Sequence, residues 1–226
     1  MSKVPYANAI GSLMYAMLCT RPDICYAVGL VSRFQSNPGL AHWQGVKRIT
    51  RYLRGTSDLV LCFQGGDLRL KGYLEADWGG DLDESKSTSG YAFILGGGAI
   101  SWCSKKQDCI ALSTMEAEYV VVSLVVQEAM WLRCFLRDLK LTPKVDEPVE
   151  MFCDNTAAIQ FAQDPKFHKK TKHIKRRYHF VRDAIKNKEI AIKYISTNKM
   201  IADPLTKPIA RDVFRAHVRS LGLERF

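Results

Sequence analysis

The chain has 226 residues, 47% of them apolar and 25% charged, and a formal net charge of +10. This composition excludes a disordered or collagen-like protein and allows one or two domains with a buried core. The basic balance fits a polyanionic partner. The 7 cysteines form no C-x-x-C pair, so we interpret them as free thiols of a reducing compartment. No apolar run approaches the roughly 20 residues of a membrane span, and we expect no membrane partner.

The first part of the chain is predicted to be helical. Apolar residues recur at helical spacing over residues 6–20, 24–35 and 41–54, and Pro22 and the stretch Asn37-Pro38-Gly39 separate these segments. The third segment also carries a basic face, made of Lys47, Arg48, Arg51 and Arg54. The sequence leaves open whether this face is solvated or contacts nucleic-acid phosphates.

From Leu59 onward the periodicity becomes that of strands. Short apolar runs at residues 60–63, 68–74, 90–95, 99–103, 149–153 and 190–195 predict strands, and the glycines at 96–98 predict a hairpin turn. An apolar helix begins near Ser113, and further helices follow the strand at 149–153. The order predicts an α/β fold with a mixed sheet covered by helices on both faces.

Acidic residues stand where several of these elements begin or end. Glu75 and Asp77 close a strand, and the others are Glu116 in a first helical turn, Asp154 after a strand and Asp203 after the last strand. A single acid of this kind is usually a helix cap or a solvated turn. Several acids converging at one sheet edge would repel one another, and a divalent cation would be needed to offset that repulsion.

Several strings occur in a fixed order along the chain: Glu75-Ala-Asp-Trp78, Lys86-Ser-Thr-Ser-Gly-Tyr91, Leu112-Ser-Thr-Met-Glu-Ala-Glu-Tyr119, Cys153-Asp-Asn155 and Ile201-Ala-Asp-Pro-Leu-Thr-Lys207. Together they resemble the ribonuclease H domain of copia-type LTR-retrotransposon Pol polyproteins. The resemblance covers about residues 67–208. It implies a ribonuclease H-like, mixed five-stranded sheet flanked by helices. Residues 1–66 resemble the helical end of the preceding reverse transcriptase, and residues 209–226 are expected to form a tail helix.

The resemblance implies hydrolysis of the RNA strand of RNA–DNA hybrids at a site with two Mg²⁺ ions, for which Mn²⁺ is a substitute. The implied catalytic and metal-binding residues are Glu75, Glu116, Asp154 and Asp203, with Asp77 as a substitute for Glu75. The implied nucleic-acid contacts are Ser87, Asn155, Lys169, Lys170, Lys172, Arg176 and Arg177. The expected partners are the hybrid and an upstream reverse transcriptase domain, without a small-molecule cofactor. The polymerase's own aspartates are not in this chain, and the expected location is a cytoplasmic virus-like particle or the nucleus.

Glu75 is where the sequence departs from the family, which usually has aspartate at this position. The glutamate carboxylate is displaced by one methylene, and Mg²⁺ requires near-ideal geometry at about 2.0–2.1 Å. The sequence therefore leaves a second function open: a catalytically impaired hybrid-binding or connection module of a degenerate element.

Overall fold

The computed structural model describes residues 1, 4–81, 83–141, 147–164 and 175–226, with the backbone alone for residues 175–178. The helices are α1 Tyr6–Cys19, α2 Cys25–Ser32, α3 Leu40–Arg54, α4 Thr114–Asp138, α5 Thr156–Gln163, α6 Lys175–Lys186 and α7 Arg211–Ser220. The strands are β1 Leu59–Leu61, β2 Lys71–Asp77, β3 Thr88–Leu95, β4 Gly98–Lys106, β5 Val149–Cys153, β6 Ile190–Tyr194 and β7 Leu223–Arg225.

The main sheet has five strands in the order β4-β3-β2-β5-β6. Neighbours β4, β3 and β2 pair antiparallel, whereas β5 pairs parallel with both β2 and β6. The antiparallel half consists of sequential strands joined by a longer connection at 78–87 and a short turn at 96–97, while the parallel half needs helical crossovers. This is the mixed five-stranded sheet predicted from the sequence, and that prediction is confirmed.

The 25-residue helix α4 packs on one face of the sheet and supplies much of the main core. Its buried side chains include Val122, Val125 and Ala129, which meet Leu74 of β2 and Met151 of β5 within one cluster. Contrary to the sequence-based expectation, α4 has the length and mean hydropathy of a membrane span. Half of its most apolar window is buried inside the fold, so packing on the sheet accounts for that apolar character.

The N-terminal helices α1, α2 and α3 share a core of their own, built around Ile10, Val28 and Val46. This helical unit lies against the main sheet, where Cys25 of α2 joins a cluster that includes Ala92 and several residues after β6. The contact is also polar, because the indole N–H of Trp102 donates to the carbonyl of Met17 at 3.0 Å. Both faces of the sheet are therefore covered, as predicted.

Strand β1 pairs antiparallel with β7 at the far end of the chain. The sequence predicts consecutive strands at 60–63 and 68–74 and one helix over residues 209–226. In the structure, Leu59 pairs with Arg225, and the tail consists of α7 followed by β7. Pairing between three-residue strands so distant in sequence leaves no local pattern from which it could be predicted.

A buried ion pair ties the start of α2 to the end of α3. Arg21 donates from Nε and Nη2 to the two carboxylate oxygens of Asp23, at 3.0 and 2.7 Å. The hydroxyl of Tyr52 donates to Asp23 at 2.6 Å, and Arg21 also donates to the Thr56 hydroxyl at 2.7 Å. The Asp23 side chain is fully buried and satisfied by these donors, so the network fixes the angle between the helices.

We expect Asp23→Ala to lower the free energy of unfolding by about 3–5 kcal/mol, because it leaves the Arg21 guanidinium buried without its counter-charge. Urea unfolding followed by circular dichroism measures this. The control is Asp58→Ala, which removes an exposed ion pair with Arg225 and should cost at most about 1 kcal/mol. Equal losses in the two variants would contradict a special role for the buried network.

Candidate active site

Three carboxylates meet at the carboxyl ends of β2 and β5. Oxygens of Glu75, Glu118 and Asp154 all lie within 4.8 Å of one another. The parallel register explains part of this, because Tyr73 pairs with Phe152, and extending the register by two residues sets Glu75 opposite Asp154. We call Glu75, Glu118 and Asp154 the carboxylate cluster.

Glu118 reaches the cluster from the second turn of α4. Its Oε1 accepts the backbone N–H of Ala76 at 2.8 Å, which holds the side chain against the end of β2. The residue is only 4% exposed. Glu118 is not among the site residues predicted from sequence, although helical spacing puts it on the buried face of α4 with Val122 and Val125.

Among the described residues Glu116 lies outside the carboxylate cluster, and the acid that α4 contributes to it is Glu118. The Oε2 of Glu116 accepts the N–H of Leu112 at 2.8 Å, and its own N–H donates to the Ser113 hydroxyl at 3.2 Å. Glu116 therefore helps to cap the N-terminus of α4. Two residues along a helix correspond to a rotation of about 200°, so Glu116 and Glu118 cannot face the same site.

Asp203 is carried by a short 3-10 helix, Asp203–Leu205, and is buried. A glycine on β3 allows this segment to lie close to the sheet. Gly90 pairs across from Glu75, and a Cβ at Gly90 would lie 2.6 Å from the Thr206 methyl and 3.0 Å from the Leu205 Cβ. The absence of a side chain at this point brings Asp203 to the edge where the cluster forms.

Lys207 connects Asp203 to the cluster. Its Nζ lies 2.7 Å from Oδ1 of Asp203 and 3.2 Å from Oε1 of Glu75. Burial by itself lowers the pKa of Lys207, but its contacts with Asp203 and Glu75 outweigh that effect and raise the pKa. The ammonium group is therefore charged and offsets part of the repulsion between these acids.

Burial and crowding shift the protonation of the cluster. Burial raises the pKa of Glu75 to about 7; Lys207 opposes this shift, whereas Asp154 and Asp203 add to it. Burial, followed by the neighbouring Glu75, raises the pKa of Glu118 well above its ordinary value. The carboxylate of Asp154 is held in place by a hydrogen bond, which its Oδ2 accepts from the Thr197 hydroxyl at an oxygen–oxygen distance of 2.6 Å.

The cluster fits a hard divalent cation. Oε2 of Glu75 is buried and accepts no hydrogen bond from the described residues. The three carboxylates lie close enough to repel one another, and a cation between them would offset that repulsion. Carboxylate oxygens are the ligands that Mg²⁺ and Mn²⁺ prefer. Glu75, Glu118 and Asp154 are therefore the residues that could hold an ion, with Asp203 beside them.

Asp77, the predicted substitute for Glu75, lies on the same side of β2 but outside the described cluster. Its carboxylate sits against the turn that follows, where a Cβ at Gly80 would come within 1.9 Å of Oδ2. Burial raises its pKa, with Lys207 opposing and Asp203 adding to the shift. The structure thus joins Glu75, and not Asp77, to the cluster.

The predicted nucleic-acid contacts have mixed outcomes. The Ser87 side chain is fully buried and its hydroxyl accepts the N–H of Gly79 at 3.2 Å, so this residue offers no surface to a ligand. Asn155 caps α5 by accepting the N–H of Ala158 at 3.0 Å and lies next to the cluster. Arg176 and Arg177 lie in the first turn of α6. Three predicted contacts fall outside the described residues: Lys169, Lys170 and Lys172.

Substituting Glu75→Gln should change how stability depends on pH. The pKa of Glu75 is raised from 4.5 to about 7 in the folded protein, so between these values the folded state binds more protons than the unfolded state. Raising the pH through this window therefore lowers the unfolding free energy of the wild type relative to the variant. Urea unfolding of both proteins at pH 5 and pH 8 in EDTA measures the difference. A difference that does not vary with pH would contradict the burial of an ionisable Glu75.

No family model matches the chain. The chain is 49% identical over 223 residues to "Retrovirus-related Pol polyprotein from transposon TNT 1-94" of Nicotiana tabacum, which covers 99% of this chain and 17% of that protein. It is also 49% identical over 141 residues to "Secreted RxLR effector protein 161" of Plasmopara viticola, which covers 62% of this chain and 99% of that protein.

Among solved structures, the foamy viral protease-reverse transcriptase in complex with RNA/DNA hybrid resembles 91% of this chain and 26% of its own, with 14% identity and a TM-score of 0.55. This likeness concerns the fold alone. The mixed five-stranded sheet flanked by helices is the ribonuclease H-like arrangement that the sequence predicted. The chain spans about a sixth of the Pol polyprotein that it matches, at 17% of that length. Identity of 49% over nearly all of this sequence confirms the predicted resemblance, because the chain corresponds to a fragment of the retrovirus-related Pol polyproteins of copia-type transposons.

Proposed function

We propose that this chain hydrolyses the RNA strand of RNA–DNA hybrids as the ribonuclease H part of a retrotransposon Pol polyprotein. One observation carries the proposal: oxygens of Glu75, Glu118 and Asp154 lie within 4.8 Å of one another at the carboxyl edge of a ribonuclease H-like sheet. Family membership supports the same reading. The proposed partners are the hybrid and a reverse transcriptase portion of the polyprotein, in an intracellular particle or the nucleus.

The cluster residues are proposed to hold two Mg²⁺ ions, with Asp203 contributing from its short helix. When bound, such ions lower the pKa of a water nucleophile and stabilise charge on the leaving oxygen. Glu118 is fixed by the Ala76 N–H and Asp154 by the Thr197 hydroxyl, so both carboxylates are oriented in advance. Lys207 carries a positive charge beside Glu75 and Asp203, where it can neutralise an incoming phosphate.

The proposed substrate is supported by charge and by a neighbouring groove. The chain has a net charge of +10, which favours a nucleic acid over an uncharged ligand. A groove beside the first turns of α4 is lined by Lys105, Lys106 and Gln107 together with Glu116. The foamy viral relative in fold is described in complex with an RNA/DNA hybrid. A hybrid is recognised by shape, 2′-hydroxyls and phosphates, which suits such a surface.

Glu75 favours a second candidate function, that of a hybrid-binding module with impaired catalysis. The family usually has aspartate here, and the longer side chain of Glu75 already contacts Lys207 at 3.2 Å. A carboxylate held by an internal cation and displaced by one methylene is poorly placed for an ion with strict geometry. On this reading the domain binds hybrids and cleaves them weakly or not at all.

Glu118→Gln and Asp154→Asn should each lower the rate of hybrid cleavage about a hundredfold or more. Each substitution removes a negatively charged carboxylate that is proposed to hold the Mg²⁺ ions. Cleavage of an end-labelled hybrid in Mg²⁺ or Mn²⁺ measures this. Glu116→Gln is the matched control; we expect it to keep most of the activity and to lose only part of a helix cap, about 0.5–2 kcal/mol. Loss of cleavage with Glu116→Gln but not with Glu118→Gln would reverse the assignment.

Glu75→Asp separates the two functions. If the extra methylene impairs an enzyme, this substitution restores the family's geometry, and we expect the cleavage rate to rise about tenfold or more. The same assay measures it, alongside hybrid binding in EDTA, which should be unchanged. An equal or lower rate in the variant would show that the glutamate does not limit the reaction.

A further inference from the structure

A buried thiol lies beside the carboxylate cluster, and the proposed hydrolysis leaves it without a role. Cys153 is the last residue of β5, directly before Asp154, and its side chain is fully buried. Its sulfur lies 3.8 Å from Oε2 of Glu118, which is within reach of a thiol hydrogen bond. Burial, followed by the Glu118 carboxylate, raises the pKa of Cys153. The group is therefore a protonated thiol that can donate to Glu118.

The same sulfur shapes the turn that carries Asp154. It accepts the backbone N–H of Asn155 at 3.4 Å. A side-chain acceptor that bonds the N–H two residues ahead closes the kind of turn that serine and threonine hydroxyls form. Asp154 stands at the apex of this turn. The sulfur thus connects the acid that comes from α4 with the turn that presents the acid after β5.

The thiol has one hydrogen and two acceptors within reach. Oε2 of Glu118 lies 3.8 Å from the sulfur and the carbonyl oxygen of Asn155 lies 3.7 Å from it. Because these distances are nearly equal, charge decides between the acceptors. A hydrogen bond to an ionised carboxylate is about twice as strong as one between neutral groups. A carboxylate must be ionised to bind a cation, and in that state the S–H is directed to Glu118.

Both carboxylate oxygens of Glu118 are then oriented by donors from different strands. Oε1 accepts the N–H of Ala76 in β2 at 2.8 Å, and Oε2 accepts the thiol of Cys153 in β5. Each oxygen of an ionised carboxylate has two lone-pair sites, so each keeps one for a cation. Two fixed oxygens prevent the carboxylate from rotating about its last side-chain bond. The carboxylate is therefore held ready for an ion that requires strict geometry.

We propose that Cys153 is a positioning residue of the carboxylate cluster, which holds Glu118 and the Asp154 turn in register for a divalent cation. It acts through these two acids and is not itself a metal ligand, because its sulfur keeps the proton and Mg²⁺ prefers oxygen. This inference rests on the proposed function, since it takes the cluster to be the ion-binding site used in hydrolysis.

The test is Mn²⁺ binding by the full chain without nucleic acid, with the free ion measured by electron paramagnetic resonance. Cys153→Thr and Cys153→Val form a matched pair, because their side chains have nearly the same shape and only threonine carries a donor. Cys153→Val should weaken Mn²⁺ binding about 10–100-fold, the usual effect of losing an outer hydrogen bond to a metal ligand. Cys153→Thr should keep most of the wild-type affinity, because its hydroxyl can form both hydrogen bonds.

The control is Cys25→Val, which removes another buried thiol, in α2, where the side chain packs in a cluster with Ala92. We expect wild-type Mn²⁺ affinity in this variant. Equal weakening in Cys153→Thr and Cys153→Val would reduce the effect to side-chain shape and overturn the proposal, as would unchanged affinity in Cys153→Val. If Cys153→Val does not fold, as judged by circular dichroism in EDTA, Cys153→Ser and Cys153→Ala give the same comparison, because only serine keeps a donor.

Cleavage of a labelled hybrid keeps this inference apart from the proposed function. A higher Mg²⁺ concentration should restore cleavage by Cys153→Val, because its defect lies in affinity for the ion and not in the fold. A wild-type chain that binds no Mn²⁺ would overturn the proposed function and this inference together. A wild-type chain that binds Mn²⁺ and cleaves the hybrid, with the same affinity in Cys153→Val, would overturn the positioning role alone.

Discussion

Mutual repulsion among buried acids is the constraint on which the site and its surroundings depend. Glu75 and Glu118 are each 4% exposed and Asp203 is 6% exposed, so water screens them poorly, and Asp154 lies among them. The fold tolerates them through partial protonation, through the N–H of Ala76 and through the ammonium of Lys207. These compensations are incomplete, because Oε2 of Glu75 accepts no hydrogen bond from the part of the chain that the structure describes. The arrangement is stable yet poised to gain from an added cation.

Much of the fold could be predicted from periodicity and from glycine turns. The six strands and the long helix α4 come from runs whose period changes clearly at Leu59, and the order of elements limits the sheet to a mixed arrangement. Three of the four predicted acids also lie at the carboxyl edge or beside it. Parallel strands bring their ends to the same edge, so Glu75 and Asp154 are placed together by topology alone.

The choice between Glu116 and Glu118 shows how a local motif can mislead. Ser113 caps α4, and Glu116 is engaged at the helix start, where its carboxylate accepts the N–H of Leu112 and its own N–H donates to the Ser113 hydroxyl. The helical face shared with Val122 and Val125 points instead to Glu118. Lys207 and Gly90 could not be assigned from sequence, because their roles depend on a segment folding back across β3. The pairing of β1 with β7 was equally inaccessible.

That pairing has a consequence for the order in which the protein folds. Leu59 pairs with Arg225, and the backbone N–H of Phe226 donates to the Asp58 carbonyl at 3.0 Å. Contacts of such high sequence separation form slowly compared with local contacts, because a long loop must close first. Until then, one edge of the junction between the helical unit and the main sheet stays open. Slow formation of the β1–β7 pairing would leave this junction open to proteases for longer than the rest of the molecule.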